Sequence, residues 1–201
     1  MNTLSVSYIK SSEYPSQCPN DGLPEYAFIG RSNVGKSSLI NMLAGNSKLS
    51  KVSGTPGKTK LINHFLVNHS WYMVDLPGYG FAKASKGARS QFSSVITRYI
   101  GERERLVLLF VLIDSRHAPQ SIDLAFIRQL GEQGVPFALV FTKADKVSGT
   151  EQRNNVERFR CALLETWEEL PPIFISSAKK KWGGEEILRY IEDINNTLQK
   201  L

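Results

Sequence analysis

The chain has 201 residues, enough for one domain with a full hydrophobic core, whereas two domains would each be small. Hydrophobic residues at 41% and charged residues at 22% exclude a disordered or fibrous class, and the longest apolar run, residues 106–113, is far too short to span a bilayer. Only Cys18 and Cys161 are present, without CxxC spacing, so neither a disulfide framework nor a zinc site is indicated, and the net charge of +6 is compatible with a polyanionic partner.

Residues 1–24 begin with no basic leader and hold a short alternating stretch around 4–9, then Pro15, Pro19, Gly22 and Pro24. This predicts an extended N-terminal arm with one edge strand at most, ahead of a single domain over 25–201. Residues 26–29 read as a buried strand and 37–43 as a helix, with Leu39, Ile40 and Leu43 at helical spacing. A polar, basic segment over 44–60 is too long for a plain connection. Strands are predicted at 61–67 and 71–74, joined as a hairpin through Asn68, His69 and Ser70. Next come a helix at 90–99, a central strand at 106–114, a helix at 121–133 and a strand at 137–141. The chain closes with a helix at 151–169, a short strand at 173–175 and an amphipathic helix at 185–198. The alternation implies an α/β fold of three layers. We expect a mostly parallel six-stranded sheet, one antiparallel edge strand, helices on both faces and the ligand at the carboxyl ends of the strands.

The first chemical motif lies between the first buried strand and its helix. Gly30, Arg31, Ser32, Asn33, Val34, Gly35, Lys36 and Ser37 fit the phosphate-loop pattern. A glycine-rich turn opening onto a helix aims backbone NH groups at phosphate oxygens, Lys36 reaches the outer phosphates, and the Ser37 hydroxyl is offered to magnesium. Asp75, Leu76, Pro77 and Gly78 follow a strand, where the carboxylate can hold a magnesium-bound water and the Gly78 NH can meet the terminal phosphate. Thr142, Lys143, Ala144 and Asp145 follow another strand. There Asp145 can accept both the ring NH and the exocyclic amino group of guanine, a donor pair adenine lacks, while the Lys143 stem packs on the base. Ile175, Ser176, Ser177 and Ala178 form a small-residue turn that can bring backbone NH groups to the base carbonyl.

With these segments in order, the chain resembles the translation-factor-like GTPases and, within them, the EngB (YihA/YsxC) family of bacterial P-loop GTPases. The resemblance runs over nearly the whole length. It rests on Gly30 to Asn41, on Thr55-Pro56-Gly57-Lys58-Thr59, and on the extension of the third motif through Tyr79, Gly80, Phe81 and Ala82. It implies that Thr59 joins Ser37 on magnesium and that Gly57, Lys58, Thr59, Lys60 and Leu61 contact GTP or GDP. It also implies a role in large ribosomal subunit assembly and in normal septation. Tyr79 stands where Ras-like enzymes carry a water-orienting glutamine, so hydrolysis should be slow, with Lys36 and the loop NH groups stabilising charge and a partner or a monovalent cation completing the site. At Asn33 two readings stay open: a potassium (K+) ion beside it, as in potassium-activated relatives, or a residue that caps the turn.

Lys179, Lys180, Lys181 and Trp182 follow the base-binding turn, and Lys83, Lys86 and Arg89 follow Tyr79, so cations flank both ends of the pocket. Two readings of these clusters stay open, a surface for ribosomal RNA with Trp182 available to stack or a solvated charged face, while the resemblance implies a large-subunit precursor, ribosomal RNA and ribosomal proteins, as partner. The protein is expected to be cytoplasmic and monomeric. A P-loop kinase or ATPase is disfavoured by Asp145, and a nucleotide-regulated division scaffold with incidental hydrolysis stands as the alternative.

Overall fold

In the computed structural model, residues 4–50, 61–79 and 86–200 are described. The strands are β1 (Val6–Ser12), β2 (Glu25–Gly30), β3 (Ile62–Val67), β4 (Trp71–Asp75), β5 (Leu106–Asp114), β6 (Phe137–Thr142) and β7 (Ile173–Ile175). The helices are α1 (Lys36–Leu43), α2 (Lys86–Glu102), α3 (Ser121–Glu132), α4 (Gly149–Leu164) and α5 (Gly184–Leu198). All seven strands form one sheet in the order β1-β3-β4-β2-β5-β6-β7.

Alternation along the central strands explains the three layers. Tyr26 and Phe28 of β2, with Leu108, Phe110 and Leu112 of β5, pack on Leu39, Ile40 and Leu43 of α1 and Ile187 and Ile191 of α5. Ala27, Ile29, Leu109, Val111 and Ile113 point the other way, onto Tyr99 of α2, Ile127 and Leu130 of α3, and Phe159 and Leu163 of α4. Both faces are covered, as parallel strands require.

The expected α/β sheet is present with a correction at its edge. The antiparallel strand is β3, which pairs antiparallel with both β4 and β1, so it lies one place inside the edge. A seventh strand, β1 from the N-terminal arm, covers it, with a bulge between Tyr8 and Lys10. The hairpin between β3 and β4 is a three-residue connection, Asn68 to Ser70, in which Asn68 and His69 adopt φ of 48° and 55° and Ser70 N donates to Val67 O.

Helix α4 ends at Leu164, five residues before the expected 169. The amides of Thr166 and Trp167 both bond back to Leu163 O, which tightens the last turn and brings Trp167 edge-on to Phe137, over Gly131. A Cβ on Gly131 would lie 2.4 Å from the indole. Packing of this one aromatic outweighs the favourable helix propensity of Glu168 and Glu169.

Candidate functional site

The phosphate loop leaves β2, whose neighbours β4 and β5 lie on opposite sides of it in the sheet. At such a reversal of strand order the connections part and leave a crevice. Gly30 sits so close to β5 that a Cβ there would meet Val34 Cγ1 at 2.8 Å and Leu112 O at 2.9 Å. Gly35 caps α1 with φ 108°, a left-handed conformation that favours glycine. Asn33 is also left-handed, φ 63°, where Asn is tolerated better than most side chains. That supplies a backbone reason for an asparagine in the loop.

Lys36 and Asp75 form a buried ion pair, and Ser50 Oγ lies 3.3 Å from the other oxygen of Asp75. Lys36 is 9% exposed and Asp75 1%, so neither charge has water as its main partner. Ser50 is placed by Asn41 on α1, whose amide donates to Ser47 O and Ser50 O while its carbonyl accepts from Ser50 N at 2.7 Å. Ser37 is half-buried in the first turn of α1. Leu76 N donates to Phe28 O, Tyr79 N donates to Gly30 O, and a Cβ on Gly78 would lie 2.7 Å from Gly30 O. Asp75 to Tyr79 therefore lies against the phosphate loop, with Leu76, Pro77 and Gly78 buried.

Ser32 Oγ is buried with no hydrogen-bond partner among the described residues. An orphaned hydroxyl in this loop fits an oxyanion ligand, which could accept from it. The oxygen donors at hand, the Ser37 hydroxyl and the Asp75 carboxylate, suit a hard cation such as magnesium. No group of three or more His, Cys, Asp or Glu residues able to hold a metal occurs among the described residues, so such a cation would complete its shell with phosphate oxygens and water.

The base side is fastened to the phosphate side. Thr142 Oγ1 donates to Val34 O at 2.6 Å, and Lys143 Nζ donates to Asn33 O and pairs with Asp114 Oδ2 at 2.9 Å. Lys143, at φ 56°, carries its stem across Gly35, where a Cβ would be 3.6 Å from Lys143 Cε. Ala144 N donates to Ser176 O, and Ser176 N to Phe141 O. Ser177 Oγ donates to Asp145 Oδ1 at 2.6 Å and accepts from Lys180 N. This bond outweighs slight burial and lowers the Asp145 carboxyl below its ordinary range. Gly35, Ser38, Lys143, Asp145, Ser176 and Ala178 line a cleft of about 120 Å³. A larger groove, about 750 Å³, runs between α1 and α5, but the paired hydrogen-bonding groups converge on the small cleft.

Ile175 ends β7 and Leu61 directly precedes β3, both half-buried. Gly57, Lys58, Thr59 and Lys60 lie outside the described residues, as do Lys83 and the side chains of Lys86 and Arg89. Arg31 turns its guanidinium away from the loop, 3.2 Å from Asp123 of α3. Asp114, Asp123 and Ser50 were not singled out from sequence, and Asn41 only as the end of the stretch from Gly30 that carries the resemblance. Asp114 had a readable signal, a carboxylate at the carboxyl end of a central strand, whereas the other three gain their place only through tertiary contact.

Residues 25–143 match the family described as 50S ribosome-binding GTPase. The chain is 56% identical over 199 residues to a probable GTP-binding protein EngB of Phocaeicola vulgatus, covering 99% of this chain and 100% of the relative. It is 52% identical over 198 residues to the same-named protein of Christiangramia forsetii, covering 98% and 100%. Among solved structures it is similar to a probable GTP-binding protein engB, at 25% identity and a TM-score of 0.66 over 86% of this chain and 99% of that one. Aquifex aeolicus Era bound to GDP.AlF4-, 22% identical with a TM-score of 0.68 over 84% and 56%, shares the fold.

Proposed function

The chain belongs to the EngB family of GTP-binding proteins and is a P-loop GTPase, and from that premise we propose that it acts as a magnesium-dependent cytoplasmic switch in large ribosomal subunit assembly. The observation that carries the guanine side is Asp145, held by Ser177 at the mouth of a cleft roofed by the Lys143 stem. A carboxylate so oriented can take both donors of guanine, and it would be left unpaired against adenine. On the phosphate side, Gly30 to Ser37 bind the phosphates through backbone NH groups, and Lys36 leaves Asp75 for the outer phosphates. Ser37 and Thr59 would hold magnesium directly, with Asp75 on one of its waters, and the ion would supply charge neutralisation for the phosphates.

Intrinsic hydrolysis is slow on this reading, because Tyr79 offers no base: its hydroxyl is buried, donates to Asp123, and is raised well above the ordinary tyrosine range by that burial and by the Asp123 charge. A partner or a potassium ion near Asn33 completes the site. Equal turnover in potassium and sodium at matched ionic strength, with and without ribosomes, would remove the cation.

The ribosomal reading draws on the 50S ribosome-binding description of the matched family and on the exposed Lys179, Lys180 and Lys181 next to Trp182, itself 42% exposed. Cations beside an accessible indole suit RNA backbone and base. Co-sedimentation with large ribosomal subunits in GTP but not GDP, weakened by Lys-to-Glu changes at 179–181, is the expected result. Unchanged co-sedimentation of the charge-reversed protein rejects this surface. A septation role is carried by the resemblance alone; capture of division proteins that survives RNase would favour a scaffold instead.

A further inference from the structure

Asp123, in the first turn of α3, is 1% exposed, yet it belongs to no motif of the nucleotide site. Its Oδ1 accepts from the Tyr79 hydroxyl at 2.9 Å and lies 3.2 Å from Arg31 Nε. One carboxylate oxygen thus joins the second residue of the phosphate loop to the residue that follows Gly78. The join is reinforced from both sides. Arg31 and Tyr79 pair as a parallel bridge, Tyr79 N donates to Gly30 O, and the Tyr79 ring stacks on Phe126 of α3 with centroids 4.4 Å apart.

We propose that Asp123 is a positioning residue for the terminal phosphate: by tying Tyr79 and Arg31 to α3 it holds Gly78 against the phosphate loop. Gly78 has little room there, since a Cβ on it would lie 2.7 Å from Gly30 O and 3.6 Å from Ser32 N. A buried carboxylate that accepts from a phenol and is ion-paired with a guanidinium makes a stronger tie than neutral pairs do, so it is suited to fixing a backbone NH that must meet charge on the ligand. The diphosphate has no group at that place. Asp123 therefore bears on GTP and its hydrolysis and leaves GDP untouched. The proposal rests on the reading of Gly78 as the terminal-phosphate contact.

The test measures affinity for GDP and for a non-hydrolysable GTP analogue, with the single-turnover hydrolysis rate at saturating GTP, in the full chain. Asp123→Ala should hold GDP affinity within about twofold while analogue affinity and turnover each fall about tenfold, the loss of a charge-assisted hydrogen bond. Tyr79→Phe, which removes one oxygen from a ring that stays stacked, should give part of that loss, and the double variant should be no worse than Asp123→Ala. Asp123→Asn, which keeps an acceptor for the phenol, should recover much of it. Equal losses for GDP and analogue would make Asp123 ordinary scaffold and overturn the proposal, as would no change in either. Gly78→Ala separates the two readings. If it lowers analogue affinity and the Asp123 variants do not, only the positioning role falls; if it changes nothing, the terminal-phosphate reading falls and the role of Asp123 with it.

Discussion

Gly183 closes the loop that carries the base-binding turn, and replacing it tests how rigidly that turn is built. The residue has φ 80°, and a Cβ there would lie 2.1 Å from Ile175 O, 2.8 Å from Ser176 Cα and 3.0 Å from Ile175 C. All three are backbone atoms, so no side chain can swing aside. Gly183→Ala forces a left-handed alanine, which costs about 1–2 kcal/mol. It must also pry apart residues 175–183, where Ser177 and Trp182 exchange backbone hydrogen bonds of 3.1 and 3.2 Å, worth about 1 kcal/mol each. The expected destabilisation is about 3–4 kcal/mol, read from urea unfolding. Because the displaced turn carries Ser177, the Asp145 bond loosens as well, and guanine nucleotide affinity should fall about tenfold or more. Gly183→Asn separates the causes. Asparagine adopts φ near 80° with little strain but brings the same Cβ, so it should be nearly as damaging as alanine. A Gly183→Ala protein within about 1 kcal/mol of the parent, with unchanged GDP affinity, would refute the account of this turn.

Three further outcomes follow from the same geometry. Asp145→Asn presents one acceptor and one donor in place of two acceptors, so GDP affinity measured by titration should drop about a hundredfold, while a xanthine nucleotide, whose second carbonyl can accept from the new amide, should gain. Asp114 is buried, which alone would raise its carboxyl, but hydrogen bonds from Arg116 and Lys143 prevail and hold it at about 2 against an ordinary 3.8. The folded value is the lower one, so its contribution, roughly 2 kcal/mol, is fully present above pH 3.8 and is lost as pH falls towards 2; Asp114→Asn should flatten the urea midpoint across that window. Glu25, 1% exposed, is pushed up by burial but brought below its ordinary value by His64, Arg103 and Tyr99. His64 Nε2 stands 3.3 Å from the carboxylate without hydrogen-bond alignment. Glu25→Gln turns an amide donor towards Arg103 and Tyr99, and should cost about 3–5 kcal/mol in urea unfolding.

The sheet and its ligand-bearing loops were legible because local rules and tertiary needs agree there. Strands such as β5 are apolar on both faces, and glycine marks the turn between β2 and α1. The β3–β4 hairpin was readable for the same reason, since asparagine tolerates the left-handed turn. Elsewhere the deciding partner was distant. Strand β1 is mostly exposed, with only Ser12 fully buried, so its alternation is faint and its place depends on β3, some 55 residues away. Helix α4 stops for the sake of Trp167, a packing demand invisible to helical periodicity. Asp123 reads as an ordinary first-turn acid on α3 and takes on meaning only because Tyr79, 44 residues earlier, reaches it. Backbone conformation also gives Asn33 a rationale that residue type alone left open.

The two rims of the sheet bear on how the protein behaves when crowded. A long, flat rim strand is a template on which copies can zip together into insoluble stacks. Here one rim is β7, only three residues long. The other is β1, which is interrupted by the bulge between Tyr8 and Lys10 and carries a lysine within that irregular step. Straightening it, by deleting Ile9 and replacing Lys10 with valine, should leave the nucleotide cleft intact yet raise turbidity on concentration, since a bent, charged border no longer refuses a second copy.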